Sequence, residues 1–236
     1  MLISAMTWMQ VEEYLENDDR CVVPLGSTEQ HAYISLATDS ILAERVAAEA
    51  AEPLGVPVFP ALGYGITPYF MGYPGTVTLS PTTYERVLVE IFGSIRRHGF
   101  RRILVVNGHG GNAPARPAAE AWAARRSGVT LRWHDWWKAP RVRAAIDDVD
   151  PDASHASWME TFPWTRVAGV ELPDRHKPAV DSTNDDDDDL SLAAFRELWG
   201  DGSFGGWYER APEVMDRIWT VAVEETRERL AEGWPS

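Results

Sequence analysis

Twice in this chain an apolar run of strand length breaks into a short polar loop that carries a histidine. The first is Val22-Val23-Pro24-Leu25, running into Gly26-Ser27-Thr28-Glu29-Gln30-His31. The second is Ile103-Leu104-Val105-Val106, running into Asn107-Gly108-His109-Gly110-Gly111-Asn112. A helical pattern follows each. Residues 39–52 place Ile41, Leu42, Val46 and Ala50 on one stripe before Pro53, and residues 112–126 are rich in alanine. Buried strand, loop and helix in repeated alternation predict a mostly parallel α/β sheet with helices on both faces. Ligands of such sheets collect beyond the carboxyl ends of the strands. Glu29, His31 and His109 all fall there.

The rest of the chain fits the same alternation. An opening helix is predicted over residues 7–17, capped by Thr7, and a long one from Ser80-Pro81 to His98, stopped by Gly99. Further strands are predicted at 56–60, 76–79 and 129–133, and helices at 138–147, near 189–199 and at 212–232. The stretch 61–75 is long, irregular and rich in Gly, Pro and aromatics, which marks a functional loop. Asp185 to Asp189 form an acidic run that reads as a solvated loop ahead of a helix. No repeat or linker divides the chain, so residues 1–236 are expected to form one domain.

The formal net charge of -14 opposes binding to nucleic acid or to an anionic membrane, both of which need clustered cations. Only Lys138 and Lys177 are lysines. There is no apolar run of membrane-spanning length, no signal-peptide pattern, and a single cysteine, Cys21, so the expected location is the cytoplasm. The 11 tryptophans need dry surroundings, in a core or an interface. A homo-oligomer with a contact around Trp133–Trp137 is one way to supply them.

If the first loop stays extended, Glu29 and His31 project to the same side. A carboxylate and an imidazole so placed, with Asp39 at the mouth of the next helix and His109 in the second loop, make an O/N ligand set suited to Zn, Mn or Fe.

Taken in order, Gly26-Ser27-Thr28-Glu29-Gln30-His31, Thr38-Asp39, Pro74-Gly75-Thr76, the Asn107–Asn112 loop, His155-Ala156 and Glu160-Thr161 resemble the creatininase family. The resemblance covers roughly residues 20–165. It implies a three-layer α/β/α fold with a mostly parallel sheet, one or two divalent metal ions, and hydrolysis of a non-peptide C–N amide bond, often in a ring. It implies that Glu29, His31, Asp39 and His109 are metal ligands, with Asp39 bridging where two ions bind. Glu160 matches an acidic position near the metals, and His155 a histidine that moves protons. Homo-oligomers, hexamers among them, are also implied.

Three departures accompany the match. After the first loop this chain reads His31-Ala32-Tyr33-Ile34-Ser35-Leu36, which lacks a second histidine and brings Asp39 one residue closer to His31. Gly111 stands where creatininase proper carries a glutamate for the second metal, which argues against creatinine as substrate and leaves that role to Glu160. The 61–75 loop has Tyr69, Phe70 and Tyr73, giving a more aromatic pocket wall where many members place a histidine.

The expected function is therefore a metal-dependent amidohydrolase acting on a small flat molecule, such as a cyclic amide or formamide. A metal-activated water attacks, and His155 returns the proton to nitrogen. Alternatives stay open at this level. His155 is also placed to cap a helix, Glu160 to face solvent, and the whole chain to be a non-catalytic family member that binds a ligand or serves assembly. A phosphate-binding loop lacks its GxGxxG or Gly-Lys-Ser/Thr pattern, and a serine hydrolase lacks G-x-S-x-G.

Overall fold

The computed structural model describes residues 1–180 and 191–234. The predicted acidic run, Asp185 to Asp189, lies outside them. At its centre, β1 (Arg20–Leu25), β2 (Arg102–Asn107) and β3 (Thr130–Asp135) form a parallel sheet in the order β1-β2-β3. Alternate residues of each strand face opposite sides, as the pleat requires. Val22, Leu104 and Val106 enter one core, and Cys21, Val23, Leu25, Ile103 and Val105 enter the other.

Helices close both faces. α2 (Thr38–Ala51), α5 (Pro140–Asp147) and α7 (Pro212–Ala231) pack on the first core, together with Trp136 and Trp158. α1 (Trp8–Leu15), α3 (Pro81–His98) and α4 (Arg116–Ala124) cover the second. Thr7 caps α1 in a reciprocal box with Gln10, and Ser80 caps α3 by accepting from the Thr83 amide. The three-layer α/β/α arrangement is the one read from the alternation.

Some predicted elements are corrected. Residues 56–60 and 76–79 do not form regular strands. Val58 makes single parallel bridges to Leu2 and Val22, and Val77 an antiparallel one to Thr28. Pro57 and Pro60 lack the amide hydrogens that a continuous ladder needs. The helix predicted from residue 112 begins as a 3-10 turn, Gly110–Ala115, and becomes α4 only at Arg116. Residues after Asp152 fold as a 3-10 turn, Trp158–Glu160, and not as a longer helix. The last third contains α6 (Leu192–Trp199), the helix predicted near 189–199, and adds a small antiparallel pair that the pattern of residues did not reveal, β4 (His176–Lys177) with β5 (Gly206–Trp207).

Six of the 11 tryptophans are buried within the chain and four, Trp137 among them, are half-buried. Trp133 and Trp136, offered as an oligomer contact, are buried at 9% and 1% exposure; among all the tryptophans only Trp8 is exposed. Their number is thus no argument for assembly. No helix among the described residues is long and apolar enough to cross a membrane.

Candidate metal centre

The ladder explains why the two histidine loops meet. Leu25 pairs with Asn107, and Asn107 with Asp135, so β1, β2 and β3 end level with one another. The loops that leave them share one edge of the sheet. Asn107 locks this edge by donating from Nδ2 to the His109 carbonyl and to Asp135 Oδ1, both at 2.7 Å.

Both loops also press on the first turn of α2. A side chain at Gly26 would collide with Ser40, and one at Gly108 with the Asp39 carbonyl. Ser40 Oγ donates to the Ser27 carbonyl at 2.9 Å and Ser27 Oγ donates to Asp39 Oδ2 at 2.8 Å. Asp39 is therefore held between the loops, 2% exposed, in the helical turn where a carboxylate suits the helix dipole.

Around it the predicted residues converge. Asp39 Oδ1 lies 3.0 Å from His31 Nε2, and Asp39 Oδ2 lies 2.9 Å from His109 Nδ1. Glu29 Oε1 is 3.4 Å from His109 Nδ1, and Glu160 Oε2 is 4.0 Å from His31 Nε2. Besides a Glu29–His31–His155 group, two triads result, Glu29–Asp39–His109 and His31–Asp39–Glu160, each with ligand atoms within 4.8 Å of one another. Asp39 belongs to both.

The far side of each imidazole is tied down. His109 Nε2 donates to the Ile66 carbonyl at 2.9 Å, and His31 Nδ1 to the Glu29 carbonyl at 3.2 Å. These bonds fix the tautomers and leave Nδ1 of His109 and Nε2 of His31 facing the carboxylates, the orientation that metal-binding histidines take. Both oxygens of Glu29 are buried and have no hydrogen-bond partner. An unpartnered buried carboxylate is costly unless a cation satisfies it. The residues present thus fit a divalent metal centre.

Three carboxylates in so small a space dominate the electrostatics. Burial alone would lower the His31 pKa, but Asp39, Glu160 and Glu29 outweigh it and raise it to about 10. His109 is likewise pushed well up by Glu29 and Asp39 against the effect of burial. Burial would raise Asp39, yet His31 and His109 hold it well below the usual range. Glu160 goes the other way, raised to about 7 by burial, with His31 opposing and Asp39 adding to the rise.

His155 stands beside the centre, its ring 4.5 Å from that of His31 and stacked on Phe70 at 4.8 Å. Its Nε2 lies 2.9 Å from the Gln30 side-chain amide nitrogen and 3.1 Å from the Gln30 carbonyl, and its Nδ1 faces Glu29 Oε1 at 3.8 Å. Burial and the nearby His31 push its pKa well down. Glu160 reaches the site from the Trp158–Glu160 turn, where Oε2 accepts from the Ala156 amide at 2.7 Å. Glu160 is buried, so its solvent-facing reading does not apply; His155 is half-buried, and the turn that follows it starts from Ser157, so His155 does not cap it.

A cleft of about 530 Å³ opens over Glu29, Asp39, His109, His155 and Glu160. Tyr69 and Phe70 line it as expected, and Tyr73 does not. Tyr73 is buried beside Phe70, Phe195 and Trp199, with its hydroxyl donating to the Gly200 carbonyl at 3.3 Å. Of the 11 tryptophans, only Trp137 lines the cleft. Sequence reasoning missed Phe204, Lys138 and Arg143 as lining residues. Lys138 carried one signal, its rarity.

A model of the family described as creatinine amidohydrolase matches residues 4–230. The chain belongs to the creatininase family. Its curated relatives include a mycofactocin precursor peptide peptidase of Mycolicibacterium smegmatis, 37% identical over 141 residues, which are 57% of this chain and 53% of the relative. A 3-dehydro-scyllo-inosose hydrolase of Thermotoga maritima is 35% identical over 107 residues, 44% of this chain and 34% of the relative. A creatinine amidohydrolase of Pseudomonas putida is 31% identical over 117 residues, 46% of this chain and 45% of the relative. The chain thus spans about half the length, or less, of these relatives. A creatininase–Mn structure shares the fold, with a TM-score of 0.82 at 22% identity over 98% of this chain and 99% of that one. All three named relatives are hydrolases, so the creatininase family is an enzyme family.

Proposed function

We propose that this creatininase-family chain hydrolyses a C–N amide bond of a small substrate, cyclic amides and formamides among the classes to test, with Glu29, His31, Asp39, His109 and Glu160 as metal ligands. The observation that carries this reading is the shared carboxylate. Asp39 offers one oxygen to each of two histidine-containing triads, the arrangement that holds two cations close together. A divalent cation held there supplies Lewis acidity toward the amide carbonyl and acidifies a water.

The chain's own groups supply the rest. Nδ1 of His155 faces the cleft while Nε2 is engaged by Gln30, so a proton is taken and returned at Nδ1. Phe70 and Phe204 pack on the ring and keep bulk water from it. Glu160 stands in for the glutamate that creatininase proper carries in the second loop. At Gly111 a Cβ would land on the Ile66 carbonyl oxygen and on His109 Nε2, so no side chain fits there. Creatinine is accordingly not the proposed substrate.

The test is turnover of a panel of lactams, cyclic ureas and formamides by zinc-, manganese- and iron-reloaded protein, with His155→Ala alongside. His155→Ala is expected to keep its metal and lose about 10²–10⁴-fold in kcat. A protein that holds metal and binds panel members but turns none over would favour the non-catalytic reading.

A further inference from the structure

The cleft has a feature that metal chemistry does not use. Its floor carries three carboxylates, but its rim carries Lys138 and Arg143. Lys138 is one of two lysines in a chain of net charge -14. The other, Lys177, is consumed by Asp201 Oδ1 at 2.7 Å and by the carbonyls of Trp199 and Ser203. Lys138 makes no ion pair among the described residues, is exposed, and lies with Nζ 5.7 Å from the centre of the Trp137 ring.

Its position is set by the sheet. β3 ends at Asp135, level with Asn107, and Trp136–Lys138 form a 3-10 turn there. Trp137 sits next to Gly110 in the second histidine loop, where a Cβ would meet its ring at 3.9 Å. Arg143 follows in the middle of α5. Its Nη1 donates to the Ala153 carbonyl at 3.2 Å, which ties it to the segment carrying His155. Asp147 Oδ1 accepts from both its Nε and its Nη2, so the Arg143 charge is already paired and Lys138 is the free cation of the rim among the described residues. Cations at the rim do nothing for a neutral substrate. Once divalent ions neutralise the floor, they make the whole cleft electropositive in an otherwise acidic protein. Such a cleft recruits anions.

Resting on the hydrolase reading, we propose that Lys138 recognises a carboxylate on the substrate, with Arg143 held beside it by Asp147 and the Ala153 carbonyl. The preferred substrate is then an amide that carries a free carboxylate close to the scissile C–N bond. The carboxylate meets the Lys138 ammonium, and the apolar part lies along Trp137 and Tyr69. A charge-assisted contact of this kind at a partly exposed rim is worth roughly 10-fold in affinity.

The experiment uses the full chain loaded with zinc and two probe pairs: N-formylphenylalanine with its C-terminal amide, and pyroglutamate with its amide. Calorimetric binding and turnover are both measured for wild type, Lys138→Ala, Lys138→Glu and Arg143→Gln, each checked for fold by circular dichroism. The wild type is expected to favour the carboxylate member of a pair at least 10-fold. Lys138→Ala should shrink that ratio to about 3 or less, and Lys138→Glu should invert it. Equal binding of both members, or no binding of either, overturns the proposal. So does a carboxylate preference that survives in Lys138→Ala and Arg143→Gln, which would mean that zinc itself captures the carboxylate. Binding with the expected ratios but without turnover upholds the rim and removes the hydrolase reading instead. Exposed Lys138 keeps the test decisive if Arg143→Gln fails to fold.

Discussion

Asp39 Oδ1 lies 3.0 Å from His31 Nε2, eight positions away in the chain. Between them Ala32 takes a left-handed conformation with φ of 48°. A tight turn follows, with the Ile34 amide donating to the His31 carbonyl at 3.0 Å. The Ala32 amide donates to Gln30 Oε1 at 3.0 Å. Asp39 therefore keeps its place between the two histidines.

Because Asp39 is common to both triads, Asp39→Asn should remove both ions together and not one of two. Elemental analysis after zinc reloading is expected to give less than about a tenth of the wild-type metal content, with the far-ultraviolet circular dichroism unchanged. Retention of half the metal would show that the two groups bind independently.

The left-handed alanine should be replaceable at a gain. An L-residue with a Cβ pays about 1–2 kcal/mol in that conformation, and glycine pays back about 0.5–1 kcal/mol of it through the entropy of the unfolded chain. Ala32→Gly is expected to raise the melting temperature by roughly 1–4 °C. Ala156, with φ of 56°, is the same case directly after His155. A lower melting temperature for Ala32→Gly would mean that its methyl group makes contacts worth more than the strain.

Restoring the missing second-loop glutamate should fail. Gly111→Glu must push apart the Ile66 carbonyl and the His109 ring, whose own hydrogen bond sets the metal-facing nitrogen. The variant is expected to lose metal and gain no hydrolysis of creatinine. Creatinine turnover above the wild-type level would show that the loop yields.

Much of this was readable from residues, because strand-to-loop transitions are local. The Val22–Leu25 and Ile103–Val106 runs, and the loops that leave them, announce a parallel sheet with a site at its edge. What stayed hidden depends on long-range placement. Phe204 reaches the site from the last third, next to a two-residue ladder too short to leave a periodic trace. Lys138 and Arg143 become rim residues only through the level ending of β2 and β3. The bridges at Val58 and Val77 are single pairings set by neighbours, and no run of β-forming residues could foretell their lengths. Tyr73 shows the converse. It sits in an aromatic loop beside true lining residues, yet its hydroxyl bond to Gly200 turns it away.

Acid stability has a separate reporter in His134, on β3. It is buried, its Nε2 lies 3.0 Å from Thr226 Oγ1 on α7, and burial, with Arg229 adding, lowers its pKa from 6.5 to about 4. Its folded pKa lies below its unfolded one, so the unfolded chain takes up the proton first as pH falls. Stability is then complete above about pH 6.5 and is lost as pH falls toward 4, by on the order of 3 kcal/mol. In chelator, His134→Gln should flatten this part of the curve. Denaturant melts at pH 7, 5.5 and 4 that run parallel for wild type and variant would show that His134 does not carry it.

The metal centre is tested most directly by an anomalous difference map from crystals of the zinc-loaded protein, collected at the zinc edge. Two peaks are expected, one among Glu29, Asp39 and His109 and one among His31, Asp39 and Glu160, with Asp39 touching both. A map with no peak at these residues, or with zinc only at the separate Asp150–Asp152–His176 group, would contradict the metal centre and the hydrolase built on it.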